Sequence, residues 1–536
     1  MAFRKMISIL LSVFLLVLAG CSSSRPSNAD KTIIYGLAND PTTLDPQMAS
    51  DSSSITAIQA LFEGLTRLDS NGNAAPGVAE RWQANENSTE FTFYLRSDAK
   101  WSDETPVTAD DFVFAFQRAV SPQTNSPVSM QMFCIKNARL INSGQLPPEQ
   151  LGVTAVDEHT LKIVLEYPYP DFPKLTANAA FMPCNQEFFE STAGRYGLDS
   201  SYVLENGPFE IDGRYGWAHD QYLNLKRSST YSGASEPLPS NIKFLIDGEE
   251  IDLSDPIAAL ENEEVDAVPV SASQAEEAKA LGCTIVSFQD STWGLAFNTS
   301  SNLMKNVNIR KAFVQAFDRS QVLSHKPSDT TAADAILLPD TTFLGKNYRE
   351  LAGSPSLLPQ DSNAAQTLET GLSELGLSGM ESVIVLCPDD ENVKLMLNEM
   401  IIAWNSQFHT YFNMQAMDES TLQARVNSGN YQIALFPITP DSDGPLQILS
   451  LFRSGANGNF TGYSNAQYDA LLEKAENTGG TEAASQYAAA ENYLSEQAVF
   501  YPLYYSKRYY AMAKGVSGIV FHPYQDGVDF ISAGKE

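Results

Sequence analysis

A chain of 536 residues with 43% hydrophobic and 10% aromatic residues carries enough apolar matter for several packed cores, which excludes disorder as its main state. Its 65 acidic residues against 34 basic ones leave a formal net charge of −31, so duplex nucleic acid and anionic membrane surfaces repel it. Five cysteines without a CxxC pair and five widely separated histidines exclude a disulfide scaffold, a zinc ribbon and a local histidine-based metal motif.

At the N-terminus, Arg4 and Lys5 precede an apolar run from Met6 to Leu18, and small residues follow. This order reads as a secretory signal peptide, and the run is shorter than the ~20 residues of a membrane helix. Leu18-Ala19-Gly20-Cys21 resembles the bacterial lipoprotein box. That resemblance implies a signal peptide over 1–20, diacylated Cys21 as first mature residue, and a flexible tether over 21–30. Two acyl chains anchor a protein stably to the bilayer. The location expected is extracytoplasmic, at the outer face of the cytoplasmic membrane or in the periplasm. Disulfides become possible there. Cys134, Cys184, Cys283 and Cys387 allow three full pairings, with free thiols as the alternative.

Along the body, Phe91, Phe93 and Leu95 alternate with polar residues as in a half-buried strand. Thr108 is placed to cap a helix from Ala109, with Asp111 in its first turn and Phe112, Phe116 and Val120 on one face. Leu161, Ile163 and Leu165 repeat the strand period. Acidic residues crowd 247–266, which reads as a solvated face, since the spacing of a calcium loop is absent. Ile309, Phe313, Ala316 and Phe317 form a second helical stripe; 323–363 reads as surface connection, and Thr439–Pro445 as a dense turn. Strands and helices mixed over this length predict an α/β or α+β protein.

Catalytic signatures are missing. There is no GxSxG elbow, HExxH motif, P-loop or GxGxxG. Ser97–Lys100 matches SxxK, but Ser97 ends a strand pattern and the companion SDN and KTG motifs are absent. The chemistry expected is binding without catalysis, cofactor or metal.

One segment is more specific. Ala99-Lys100-Trp101-Ser102-Asp103-Glu104-Thr105-Pro106-Val107-Thr108-Ala109-Asp110-Asp111-Phe112 resembles the signature of the extracellular solute-binding proteins of family 5, the peptide and nickel binders of ABC importers. The family usually has Gly where Glu104 stands. Similar blocks occur in the family's order: Asp40–Pro46, Leu61-Phe62-Glu63-Gly64-Leu65, Ala75–Glu80, Asn206–Phe209, Phe297–Thr299, Ile309–Phe313, Gly462–Asn465 with Tyr468-Asp469, and Pro502–Tyr505. The likeness covers nearly the whole mature chain and is greatest to the oligopeptide-binding members.

The resemblance implies an α/β, two-lobed periplasmic-binding-protein-like clamp, type II and cluster C-like, with an additional subdomain inserted in lobe I. Lobe I would combine 31–57, 183–292 and 508–536, with 58–182 inserted, and lobe II would span 293–507. Two chain crossings would form the hinge. The partners implied are an oligopeptide, the ABC permease subunits and the bilayer through Cys21, with the protein itself a monomer.

Peptide recognition in this family is largely backbone pairing, with main-chain bonds supplying affinity. Carried over by residue, the lobe I strand falls at Ser50, Asp51 and Ser52, and the lobe II strand at Pro437, Ile438 and Thr439. Asp441 maps to the aspartate that binds the peptide amine. Trp101 is expected in the core, Trp293, Tyr504 and Tyr505 near the hinge as ligand-stacking candidates with core packing as the alternative, and Cys134 with Cys184 as a disulfide pair. Ile438 replaces a common Trp, and Pro437 lacks a backbone donor. Positions that can carry a cation for a peptide's carboxylate map to Leu435 and Val393. These departures favour longer peptides or another solute. The rivals are a dipeptide, oligosaccharide, opine or nickel chelate in the same clamp, a receptor for peptide signals, and an anchored hydrolase, which the missing motifs disfavour.

Overall fold

The computed structural model describes residues 32–248, 251–380, 383–440, 442–456, 458–524 and 527–536. The expected signal peptide, Cys21, the tether and Asp441 lie outside them. The first elements that position the site are β1 (Thr32–Leu37), α1 (Ser52–Leu61), β2 (Ala79–Ala84), β3 (Glu90–Leu95), α2 (Ala109–Val120), α3 (Ala138–Asn142), β4 (Val153–Asp157) and β5 (Thr160–Val164). Then follow β6 (Phe209–Ile211), β7 (Tyr222–Arg227), β8 (Asn241–Ile246), β9 (Ala267–Val270) and β10 (Thr284–Phe297). The last are α4 (Val307–Gln315), β11 (Ile384–Pro388), α5 (Glu391–Phe408), β12 (Asn413–Met417), β13 (Ile433–Ile438) and β14 (Phe500–Met512).

One mixed sheet runs through the protein in the order β12-β11-β13-β10-β14-β9-β1-β8-β7-β6. Its centre is the antiparallel pair β10 and β14, 14 and 13 residues long. Thr284–Gln289 pair with Lys507–Met512, and on that side β14 passes the sheet on to β9. Thr292–Ala296 also pair with β14, and Thr292–Phe297 pair on their other edge with β13, which leads to β11 and β12. The register slips between Gln289 and Ser291 and again between Trp293 and Gly294. A bulge adds twist where it falls, so the two halves of the sheet turn relative to one another at this point. The result is two α/β lobes on one two-stranded ribbon. The lobe boundaries expected at 292/293 and 507/508 fall inside these two strands.

Each lobe has its own core. β1 is buried on both faces: Ile33, Tyr35 and Leu37 face one cluster, while Ile34 faces a second with Ala259, Leu260 and Ala278. A strand covered on both sides is apolar throughout, as TIIYGL nearly is. A separate antiparallel sheet, β2-β3-β5-β4, shares the first of these clusters through Phe91, Phe93, Leu161 and Ile163. The other lobe packs α4 and α5 on one face of its strands, with Phe313 against Trp404 at 5.1 Å. Phe436, Phe460 and Tyr468 fill the opposite face.

Local chemistry follows the sequence pattern at several places. β3 buries Phe91, Phe93 and Leu95 and leaves the residues between them half-buried. At the start of α2, the Asp111 carboxylate accepts from the Thr108 backbone N at 2.7 Å and from Trp101 Nε1 at 3.4 Å. Burial pushes the Asp111 carboxyl up to about 6, against the pull of those hydrogen bonds. Trp101 is fully buried, as expected of it. Glu104, where the signature usually has Gly, sits at φ 73°, a left-handed conformation that glycine adopts without strain.

Two expectations are corrected. The stretch 323–363 is not only surface connection: Ile336, Leu337 and Tyr348 enter the second lobe's core. Arg349 holds them down by a bidentate pair with buried Glu491 at 2.6 and 2.7 Å. Nor do Cys134 and Cys184 form a disulfide; both are buried free thiols. Cys134 faces the Gln131 carbonyl, whereas Cys184 lies beside Arg118, Asp45 and Tyr196. Burial pushes each thiol up to about 12.

Candidate functional site

The ribbon forms the floor of a cleft between the lobes. The cleft holds a cavity of about 860 Å³, within the size range of small-ligand sites. The first lobe contributes Phe62–Gly64, Thr66–Leu68 and Lys174; the ribbon contributes Ser287–Gln289; the second lobe contributes Pro339, Thr342 and Asp443; and the chain's last segment adds Phe521–Tyr524. Each wall thus comes from a different part of the chain.

The lobes touch across this cavity. Lys174 Nζ of the first lobe lies 3.1 Å from Asp443 Oδ2 of the second. Thr342 holds that aspartate by two bonds, donating from Oγ1 to its carboxylate at 2.5 Å and from its backbone N to the Asp443 carbonyl at 2.9 Å. Burial raises neighbouring Asp171 above the usual carboxylate value, although Lys174 opposes the shift.

The inner wall is built on a charge network. Glu63, whose side chain has no exposed surface, accepts from Arg96 at 2.8 Å, from Tyr231 at 2.6 Å and from Arg67 at 3.3 Å. Arg67 also donates to Asp529 at 2.8 Å, tying the chain's end to this wall. Burial alone would raise Asp529, but the charge and hydrogen bond of Arg67 more than offset it, and the carboxyl titrates below its usual range. Burial holds nearby His522 below its usual value. A buried carboxylate is tolerable only with such multiple partners.

The residues expected to touch ligand are distributed differently. Ser50, Asp51 and Ser52 are not a strand. Asp51 caps α1: its carboxylate accepts from Ser54 N at 2.8 Å and from Thr42 Oγ1 at 2.5 Å. Asp51 and Ser52 line a smaller pocket of about 280 Å³ at the end of β1. Pro437 and Ile438 lie in β13, register partners of Trp293 and Thr292. Thr439 follows them, sharing a 2.9 Å contact with Ser291 on the ribbon, and it lines a third pocket between the lobes. Tyr504 is core, with half-buried Trp293 stacked on it at 5.9 Å; Tyr505 is also buried, its hydroxyl bonded to Asp334 at 3.0 Å. Core packing therefore claims Tyr504 and Tyr505. The side chains of Leu435 and Val393 are buried in the core of the second lobe as well.

Sequence reasoning missed Lys174, Thr342, Asp443, Arg67 and Asp529. Only Glu63 had a signal, a carboxylate set among apolar residues in Leu61-Phe62-Glu63-Gly64-Leu65.

The model of the family described as bacterial extracellular solute-binding proteins, family 5 Middle, matches residues 73–460. The periplasmic murein peptide-binding protein MppA of Escherichia coli (strain K12) is 30% identical over 478 residues, 88% of this chain and 87% of that one. A solved structure of the Escherichia coli murein tripeptide binding protein MppA superposes with a TM-score of 0.77 at 27% identity, covering 94% of this chain and 98% of that one. Its unliganded open form superposes less well, at 0.67 and 26% identity, covering 94% and 97%.

Proposed function

The chain belongs to the bacterial extracellular solute-binding proteins of family 5, and on that premise we propose that it is the lipid-anchored binding subunit of a peptide ABC importer. It encloses extended oligopeptides between its lobes and presents them to a membrane permease. Its work is binding and release, not catalysis. The observation that carries this reading is the cavity whose walls come from both lobes, between which the ribbon of β10 and β14 runs. Such a clamp closes on ligand because the closed state makes contacts the open one cannot.

Backbone pairing has a place to occur. β13 pairs with β10 as far as Ile438, but with β11 only at Ile433 and Ala434. From Leu435 onward its other edge has no strand alongside among the described residues, and a ligand strand could add there. Thr439 and Asp441 would extend that edge toward the peptide's amine. We assign the β2-β3-β5-β4 sheet to a subdomain inserted over 58–182, which the shared core of lobe I supports. Helix α1, Ser52–Leu61, crosses the proposed boundary at 57/58 and fuses the two.

The test of the class is mass spectrometry of what the purified body, residues 22–536, releases on denaturation. Peptides are expected; a sugar or a metal chelate would keep the clamp and overturn the substrate. Anchoring has its own test. Cys21→Ala should move the protein from the membrane fraction to the soluble one, and retention in the membrane would reject acylation at Cys21.

A further inference from the structure

We propose that the second inter-lobe pocket, built on Arg139 and Arg453, binds a carboxylate of the ligand and couples that binding to lobe closure. The inference rests on the peptide-clamp reading and names the ligand group that reading leaves without an anchor, since Leu435 and Val393 are core.

The pocket encloses about 310 Å³. Its first-lobe wall holds Gln131, Cys134, Arg139 and Tyr167, and its second-lobe wall runs from Thr439 and Pro440 to Arg453. Arg139, on α3, lies over the Phe133 ring at 5.5 Å. Among the described residues no carboxylate or carbonyl takes up its guanidinium. Arg453 Nη2 is ion-paired with Glu476 Oε2 at 2.7 Å, while its buried Nε makes no hydrogen bond among the described residues. Two guanidiniums, one from each lobe, thus line the pocket, and only that of Arg453 has an ion-pair partner among the described residues. Burial and the Arg453 charge both lower the basicity of Arg139. The other titratable groups among the described residues that line the pocket are Cys134 and Tyr167, and neither is an anion there: burial pushes the Cys134 thiol up to about 12 and raises Tyr167 well above its usual value.

This is an anion site by its chemistry. Planar guanidiniums with free donors bind carboxylates bidentately, and such charge-assisted bonds are the strong ones. It is also a closure device. With the lobes apart each arginine is hydrated; together they repel in a partly desolvated space. An anion between them removes that repulsion only in the closed form, which is the differential affinity that closure requires. The carboxylate comes either from the peptide's C-terminus or from an Asp or Glu side chain.

The test uses pools of three- to six-residue peptides, with free or amidated C-termini, each made with Asp and Glu or with Asn and Gln in their place. Retained peptides are identified by mass spectrometry. Wild-type protein should favour carboxylate-bearing peptides over neutral amides by ~10-fold or more, as a charge-assisted pair predicts. Preference for free C-termini identifies one source, and preference for Asp and Glu among amides identifies the other. Arg139→Gln should reduce the preference to ~2-fold while still retaining neutral amides, and Arg139→Lys should restore part of it. Equal retention of acids and neutral amides by wild type, or an unchanged preference in Arg139→Gln, would overturn the anion site and leave the peptide clamp standing. Retention of no peptide from any pool, with a different solute released on denaturation, would overturn the clamp reading itself.

Discussion

Replacing Glu63 with alanine is expected to cost about 3–5 kcal/mol of folding stability, the range for removing one member of a buried ionic cluster. Glu63 takes charge-assisted bonds from Arg96 and Arg67 and a third from Tyr231, with no exposed surface of its own. Without it, the guanidiniums of Arg67 and Arg96 lose their shared carboxylate, and among the described residues Asp529 and Asp98 remain as the carboxylates paired with them. The loss is larger than that of a surface ion pair because the arginines, whose side chains are 17% and 14% exposed, have little water to fall back on. Denaturant unfolding of wild type, Glu63→Ala and Glu63→Gln reads the effect, with the glutamine variant expected in between because it keeps an acceptor. A loss below about 1 kcal/mol in Glu63→Ala would mean that water enters the cluster.

The second large effect is on binding. Asp441→Ala is expected to weaken peptides with a free N-terminus by about 100-fold and to leave N-acetylated peptides nearly unchanged. An ammonium taken out of water requires a carboxylate, and a charge-assisted pair of ~2–3 kcal/mol corresponds to that factor. Titration calorimetry with matched free and acetylated peptides separates the cases. Equal weakening of both, or of neither, would remove Asp441 from the amine role.

The periods of the sequence carried the architecture well, because burial on one face dictates them. Phe91, Phe93 and Leu95 alternate, Phe112 and Phe116 sit a helical turn apart, and each proved to be core. Where composition and packing pull apart, the reading failed. The stretch 323–363 is polar on average, and that average hides Ile336, Leu337 and Tyr348, which three-dimensional packing recruits. Asp51-Ser52-Ser53-Ser54 is locally a helix cap, an aspartate three residues before an available backbone N–H, and the family resemblance to a strand at Ser50–Ser52 masks it. The cavity was least legible of all. Lys174 and Asp443 are 269 residues apart, and no short-range pattern announces a contact made only when two lobes meet. Arg139 and Arg453 are hidden in the same way. The sequence shows two ordinary basic residues, and their meeting across one pocket appears only once the two lobes are built around it.

The ribbon of β10 and β14 has a mechanical consequence. Two hydrogen-bonded strands behave like a leaf spring, stiff in the plane of the sheet, where bending would stretch the ladder, and compliant out of it. The misregister at Asp290 localises that compliance to a few residues, and Asp290 bridges Ser506 at 3.0 Å and Arg508 at 3.5 Å across it. The lobes therefore have one soft direction of travel, and thermal motion becomes an opening and shutting stroke instead of a tumbling one. A ligand between lobes held on such a ribbon has fewer mutual orientations of the two walls to search than it would between lobes on a flexible tether.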